Sequence, residues 1–355
     1  MTWQGEANTS SAQAHSLSWK GELSAQQKRA SAAVVQAVEQ KSSLLVWAVC
    51  GSGKTEIIFR GLEQAFAKGF RVLLATPRTD VVKELTLRLK RAFPEAAITS
   101  LYSGSNQRDI SSVLVIATTH QVMRYYQAFD LVIVDEVDAF PFSYDQSLEY
   151  AVSMAKKQNA ALIYLSATPG RTLRVSKQLE IVKIPRRFHG KPLPVPCFRW
   201  CGNWRKAAQK GRMSSAVIRW LENHRQPVFL FVPTVRALKR VSEILTQKQI
   251  EHRAVHANAL DRHEAVAAFR KGACQLLITT TILERGVTIS NLAVAVLGAE
   301  DDVFDESALV QIAGRAGRDP HAPDGEVVFF HYGKTIAMKA ARRQIMRMNR
   351  EGGVG

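Results

Sequence analysis

Eight residues, Ala48-Val49-Cys50-Gly51-Ser52-Gly53-Lys54-Thr55, follow the apolar run Leu44-Leu45-Val46-Trp47 and open a segment with helical spacing. Strand, glycine-rich turn and helix in that order make a phosphate cradle. A helix that starts at a tight turn aims unpaired N–H groups and its positive dipole end at one spot. Gly51 and Gly53 let the backbone wrap a phosphate chain with no Cβ in the way, and Ser52 lies between them. Lys54 is placed to reach β- and γ-phosphates, and the Thr55 hydroxyl to hold Mg²⁺. A second cluster, Asp135-Glu136-Val137-Asp138, comes directly after the aliphatic run Leu131-Val132-Ile133-Val134. Phosphoryl transfer to water needs a held metal, a positioned water and a cation for charge developing on the phosphate oxygens. Asp135 suits the metal and Glu136 suits orienting or deprotonating the water. The cation is supplied downstream by Gln311-Ile312-Ala313-Gly314-Arg315-Ala316-Gly317-Arg318. Arg315 and Arg318, three apart, are expected to share a helix face and to clamp a γ-phosphate as arginine fingers.

The elements that must position these residues recur as short apolar strands followed by polar loops. Arg71–Ala75 runs into Thr76-Pro77-Arg78-Thr79, and Val113–Ala117 runs into Thr118-Thr119-His120-Gln121. Ala161–Leu165 runs into Ser166-Ala167-Thr168-Pro169. Open parallel sheets bind ligands beyond the carboxyl ends of their strands, which is where all these loops fall. Upstream, Ser24 and Gln27 have the spacing of a capping box for a helix with the apolar face Ala30, Ala33, Val34, Ala37 and Val38. A second reading gives the Gln27 amide to the edge of an adenine ring, with Trp19 stacking nearby. Ile184–Pro196 carries four prolines with Arg186, Arg187 and Lys191, a basic aperiodic run that reads as a linker. The strand–helix rhythm then restarts at Val228–Val232, Ala254–His256, Gln275–Ile278, Ala293–Leu297 and Val327–His331, without a second phosphate loop.

These boundaries predict an α/β chain of two tandem doubly wound parallel-sheet domains, with the nucleotide in a cleft between them. The expected limits are a disordered tail over 1–18, a first domain over 19–184 and a linker over 185–205. A second domain over 206–335 and a basic helix and tail over 336–355 complete the chain. In the last helix Ala337, Ala341, Ile345 and Met348 line one side, with Lys339, Arg343, Arg347 and Arg350 nearly opposite. That basic face is either solvated or a stripe for nucleic-acid phosphates.

A net charge of +17, with 46% hydrophobic and 22% charged residues, describes a globular chain with a polyanionic partner, nucleic acid or an anionic membrane surface. No apolar run approaches the roughly 18–20 residues of a membrane span, so a cytoplasmic protein without direct membrane insertion is expected. Cys50, Cys197, Cys201 and Cys274 are scattered, with no metal-like spacing, and read as reduced thiols. Cys197 and Cys201, beside Trp200 and Trp204, are better explained by packing than by a redox or stacking site.

Taken in order, these motifs from Leu23 to Arg318 resemble the superfamily 2 helicases, where Ala48 in place of the first loop glycine is common. The helicase resemblance implies that both doubly wound domains are RecA-like. Within that superfamily, Trp19–Ser24, Asp135–Phe142 and Ile184–Pro194 are similar to the late competence protein ComFA family, and the primosomal helicase PriA is similar in motif style. The ComFA resemblance implies a cytosolic ATPase stimulated by single-stranded DNA and used in DNA uptake during natural transformation. Competence and DNA-uptake proteins at the inner face of the membrane are its implied partners. It implies ATP and Mg²⁺ as cofactors, ATP contacts at Gln27 and Gly51–Thr55, and Mg²⁺ at Thr55 and Asp135. It implies Glu136 as base, with Ser166 and Thr168 coupling hydrolysis to domain movement. Thr76, Arg78, Thr119, His120, Thr234, Thr279 and Thr280 fall where the superfamily touches the nucleic-acid backbone, and Gly286 and Thr288 fall near the ribose and phosphates. Hydroxyls and amides at such turns meet phosphates rather than base edges, so binding is independent of base sequence. ComFA members usually carry a four-cysteine zinc module ahead of the motor; no zinc is expected in this chain. A replication-restart helicase, and a nucleotide-gated DNA scaffold with little turnover, remain as alternatives at this point.

Overall fold

The computed structural model describes residues 15–105, 112–256, 259, 262–280 and 289–353. The chain divides into two compact units, Met1–Phe188 and His189–Gly355.

The first unit is built on a seven-stranded sheet. Its strands are β1 (Ser43–Ala48), β2 (Val72–Thr76), β3 (Ile98–Leu101), β4 (Leu114–Thr118), β5 (Phe129–Asp135), β6 (Lys156–Ser166) and β7 (Glu180–Ile184), in the spatial order β3-β4-β2-β5-β6-β1-β7. Every pair is parallel. β2 and β4 are buried at every position, and β1 and β5 at all but one. Helices cover both faces of such a sheet, which is why the strands read as continuous apolar runs rather than alternating ones. One core lies under helices Ala25–Gln40, Phe59–Ala67 and Thr79–Ala92, with Phe66 and Phe93 packed edge to face. A second core on the opposite face gathers Phe129, Val132, Val134, Phe142 and Leu148.

The second unit repeats the plan. Its strands are β8 (Cys197–Trp200), β9 (Val228–Phe231), β10 (Arg253–Val255), β11 (Leu276–Thr279), β12 (Ala293–Leu297) and β13 (Val327–His331), in the order β10-β11-β9-β12-β13-β8, again all parallel. Two glycines mark close approaches. A Cβ on Gly298, whose φ is 76°, would fall 2.5 Å from the Trp204 ring. A Cβ on Gly325 would fall 2.7 Å from the backbone nitrogen of Gly317, so this glycine lets one loop pass under the arginine turn.

Three strands lie outside the sequence expectations, and all three are sheet edges. β3 reads Ile-Thr-Ser-Leu, and its two hydroxyls are satisfied by side chains, Thr99 by Ser112 at 2.5 Å and Ser100 by Thr86 at 2.7 Å. β7 is mostly half-buried and β8 mostly exposed, and neither carries a long apolar run. β8 lies within the 185–205 stretch read as a linker and the helix Trp204–Gln209 begins there, so ordered structure of the second unit starts inside it. The last helix spans Ile336–Glu351, capped by the Thr335 hydroxyl accepting from Met338 N. Its buried face is Met338, Ala341, Ile345 and Met348; Ala337 is only half-buried, while Lys339, Arg343, Arg347 and Arg350 are exposed.

The four cysteines are free thiols in different surroundings. Burial, with the Glu300 carboxylate as a second cause, pushes the Cys201 thiol up to about 12, and burial also raises Cys274. Cys197 is exposed and Cys50 half-buried. The thiolate is the reacting form. Iodoacetamide at pH 8, followed by peptide mass mapping over time, should therefore modify Cys197 first and leave Cys201 and Cys274 unmodified until the chain is unfolded.

Candidate active site

The parallel register brings the expected motifs to one edge of the first sheet. Trp47 on β1 faces Ser166 on β6, and Leu165 on β6 faces Asp135 on β5. Val134 on β5 faces Ala75 on β2, and Thr76 faces Thr118 on β4. The loops after β1, β6, β5, β2 and β4 therefore leave the sheet side by side. At about 4.8 Å per strand, the end of β5 lies roughly two strand spacings from the end of β1.

The phosphate loop follows β1. Gly51 and Gly53 have φ of 78° and 74°, the left-handed region that a side chain would strain. Gly53 caps the helix Lys54–Ile57, so the first free N–H groups of that helix open onto the loop. A Cβ on Gly53 would fall 2.5 Å from Gln27 Nε2 and 3.2 Å from Glu56 Oε2. The Ser52 side chain is buried, and its Oγ has no hydrogen-bond partner among the described residues. Lys54 is half-buried and Thr55 is 8% exposed.

Gln27 does two jobs with one amide. Its Oε1 accepts from Ser24 N at 2.7 Å while Ser24 Oγ accepts from Gln27 N at 3.4 Å, a complete capping box on helix Ala25–Gln40. Its Nε2 donates to the Ser52 carbonyl at 2.8 Å, tying the phosphate loop to that helix. Trp19 is half-buried against the core, its ring edge-on to Phe59 at 5.6 Å, with Gly21 pressed on the indole. The ring that sequence reasoning offered for base stacking is thus also part of the first core.

Asp135 ends β5 and is 8% exposed; Glu136 is 2% exposed. Glu136 has φ of 60°, left-handed backbone in a residue that carries a Cβ. That conformation costs roughly 1–2 kcal/mol. It is held from both sides, because Glu136 N donates to Leu165 O at 3.0 Å and its carbonyl accepts from Ala139 N at 2.9 Å. Strained backbone imposed by its neighbours at a sheet edge re-aims a side chain, here the carboxylate expected to handle water.

Ser166 and Thr168 converge on Asp138. Ser166 Oγ donates to Asp138 Oδ1 at 2.5 Å and accepts from Thr168 N at 2.9 Å, and Thr168 Oγ1 donates to Asp138 Oδ2. Spacing alone gives Asp138 no role. Its position three residues past Asp135, opposite a loop with two hydroxyls, is the signal that pairs them. Trp47 Nε1 also donates to the Ala167 carbonyl at 3.1 Å, fixing this loop to the strand that carries the phosphate loop.

The other expected residues lie as follows. Thr76 and Thr119 are fully buried, and their hydroxyls have no hydrogen-bond partner among the described residues. Arg78 is half-buried and His120 exposed. Thr234 is exposed and caps helix Val235–Gln247, accepting from Ala237 N at 3.1 Å. Thr279 is fully buried with its hydroxyl donated to the Thr280 carbonyl at 3.2 Å, and Thr280 is 8% exposed. Gly286 and Thr288 lie outside the described residues.

The arginine pair departs from the expected helix. Helix Glu306–Ala313 stops at Gly314, and Gly317 takes φ of 63°, so Arg315 and Arg318 sit in the turns that follow it. Helical spacing overruns here because two glycines within four residues end the helix. Arg315 is buried, and Arg318 is half-buried with its Nε donating to Gly314 O at 3.1 Å. Gln311, on the last turn of the helix, donates to Ser307 Oγ at 3.5 Å.

The donors at the first-sheet edge fit a triphosphate with a hard cation. The glycine loop leaves room for phosphate oxygens, and Thr55 and Asp135 offer the one hydroxyl and one carboxylate that Mg²⁺ takes from protein while keeping waters. Among the described residues no group of three or more His, Cys, Asp or Glu side chains could hold a metal ion, which is the pattern of a closed all-protein cage rather than of this site.

Residues 20–171 match the family described as Type III restriction enzyme, res subunit, and residues 211–320 match the Helicase conserved C-terminal domain. Competence protein ComFA of Bacillus subtilis is 50% identical over 354 residues, covering 98% of this chain and 76% of that protein. The chain belongs to the ComFA family. Competence protein ComFA of Streptococcus pneumoniae is 38% identical, over 95% of this chain and 80% of that protein. Two solved structures share the fold. Mss116, a DEAD-box helicase bound to single-stranded RNA and UDP-BeF, has a TM-score of 0.66 at 15% identity, covering 87% of this chain and 70% of that one. RecG bound to a three-way DNA junction has 0.61 at 18%, covering 93% and 45%. The two parallel-sheet units are thus tandem RecA-like domains of a superfamily 2 helicase, and the ComFA member described here is a helicase-type ATPase.

Removing the Asp138 carboxylate strands two hydroxyls at once. Asp138→Ala should lower the stability of the first unit by roughly 1–3 kcal/mol in urea unfolding, the penalty for buried donors left unmade. Asp138→Asn, which keeps one carbonyl acceptor, should fall between Ala and the native protein.

Proposed function

We propose that this protein is an ATP-driven motor on single-stranded DNA that serves DNA uptake in natural transformation. It would work in the cytoplasm, with competence and DNA-uptake proteins at the inner face of the membrane as partners. The observation that carries the reading is the alignment at one sheet edge of the phosphate loop, the Asp135–Glu136 turn, the Ser166–Thr168 loop and the turns at Thr76–Arg78 and Thr119–His120. Nucleotide and polymer grips on adjacent loops of one rigid sheet are what a motor needs in order to couple them.

In this reading Gly51–Thr55 bind the phosphates, with Lys54 on the β- and γ-phosphates. Thr55 and Asp135 hold Mg²⁺, which when bound neutralises charge on the phosphate oxygens. Glu136 orients the attacking water and accepts its proton. Gln27 serves the base as well as the loop, with Trp19 beside it, and Gly286 and Thr288 serve the ribose and phosphates. From the second domain, Gln311, Arg315 and Arg318 meet the γ-phosphate across a cleft between lobes spanning residues 19–184 and 206–335. Gain and loss of that partner closes and opens the cleft, and Ser166, Thr168 and Asp138 carry the change to the polymer side. Thr76, Arg78, Thr119, His120, Thr234, Thr279 and Thr280 mark the turns that hold the DNA backbone. Sequence-independent phosphate contact and the net charge of +17 make the grip salt-sensitive.

The test is steady-state ATP hydrolysis with and without single-stranded DNA at low and moderate salt. The expected result is a rate that rises with DNA, falls as salt increases, and is lost in Lys54→Ala and Glu136→Gln. Equal rates with and without DNA at low salt would count against a DNA motor, and unchanged uptake by a Glu136→Gln strain would favour a scaffold role.

A further inference from the structure

Arg187 lies in the stretch Ile184–Pro194, whose function the ATP-site motifs leave unassigned. It is 2% exposed, so its charge sits inside the first unit although the neighbouring Phe188 is exposed. The segment containing it is laced to the phosphate loop. Ala48 pairs with Ile184 at the end of β1 and β7. Beyond that pair, Val49 N donates to Ile184 O at 3.1 Å and Phe188 N donates to Gly51 O at 2.9 Å. Residues 184–188 therefore run beside residues 48–51 as a strap. Within the strap, the Arg187 stem rests on the loop: a Cβ built on Gly51 would lie 3.8 Å from its Cγ and 3.9 Å from its Cδ.

We propose that Arg187 is a positioning residue for the phosphate loop, acting on bound nucleotide through the strap Ile184–Phe188. With its stem against Gly51, Arg187 brings near the glycine loop a second positive charge besides Lys54, one that cannot be lost by deprotonation. The left-handed Gly51 has no side chain to stiffen it, and here its carbonyl is fixed by Phe188 N and its Cα flanked by the Arg187 stem. The strap also ends where the first unit ends, at Phe188, so the loop is bonded directly to the chain leaving that unit.

The inference rests on the phosphate loop being the ATP site and is independent of DNA. Its test compares the full chain with Arg187→Lys, Arg187→Met and Phe188→Pro, in the absence of DNA. Readouts are the Kd for Mg²⁺-ATP and Mg²⁺-ADP from a fluorescent nucleotide analogue, kcat and KM for ATP, and Tm. Removing a fixed positive charge beside the phosphate loop should cost about tenfold in affinity. Arg187→Met, which keeps the stem, should weaken both nucleotides by about that factor and raise KM more than it lowers kcat. Arg187→Lys should restore most of the loss. Phe188→Pro, which keeps the charge but removes the N–H that holds Gly51 O, should weaken binding with little change in Tm. Equal affinity in the Arg, Lys and Met proteins would overturn the proposal. So would losses that are equal in Lys and Met and track a falling Tm, since those report packing alone. If the native protein binds ATP with the expected charge dependence but shows no DNA stimulation, the DNA-motor reading fails while this inference stands.

Discussion

Parallel pairing of β1 with β6, and of β6 with β5, is the constraint from which the site follows. With Trp47 opposite Ser166 and Leu165 opposite Asp135, three strands end level and release three chemically different loops next to one another. A slip of one residue would turn every side chain of a strand to the other face. It is resisted because both faces of these strands are packed: Leu131 and Ile133 belong to one core, Val132 and Val134 to the other. Hydrophobic burial on two sides therefore sets where carboxylates stop and water begins. Asp135 is the last residue of β5, directly after the packed run.

Small features then turn this scaffold into chemistry. The αL backbone of Glu136 is held by Leu165 on one side and Ala139 on the other, so strand pairing itself aims the carboxylate. Asp138 accepts from both Ser166 and Thr168, and Trp47 holds Ala167 between them. These bonds link the phosphate-loop strand, the acidic turn and the hydroxyl loop into one polar network. In the second unit the equivalent precision comes from glycine. Gly325 passes within van der Waals reach of Gly317, and only a residue without a Cβ fits there, so the turn carrying Arg318 is set against a neighbouring loop.

Residues at the ends of apolar runs were legible in the sequence. Gly51–Thr55, Asp135 and Ser166 could be placed because burial of the preceding strand leaves an unbroken aliphatic signature. The Ser24–Gln27 capping box was legible because its parts are three residues apart. What escaped depends on contact between distant segments or on weak local signal. Asp138 meets Thr168 from 30 residues away. β7 and β8 are edge strands, each with one unpaired flank and a short mixed sequence, so neither stands out, and β8 falls inside the 185–205 stretch that reads as linker. Arg315 and Arg318 were extrapolated along a helix that Gly314 ends. Thr76, Thr119 and Thr279 were correctly placed at strand ends, but spacing says nothing of how deep a hydroxyl lies, and all three are fully buried.

The divided amide of Gln27 has a mechanical consequence. Its oxygen belongs to the opening turn of a helix and its nitrogen to the carbonyl of Ser52. Opening turns are where helices fray, having N–H groups with no intrahelical acceptor. Part of the stiffness of the phosphate loop is thus borrowed from a helix end, which the capping box keeps wound. One amide therefore ties the start of a helix to a loop twenty-five positions further along the chain, so disturbing either end is felt at the other.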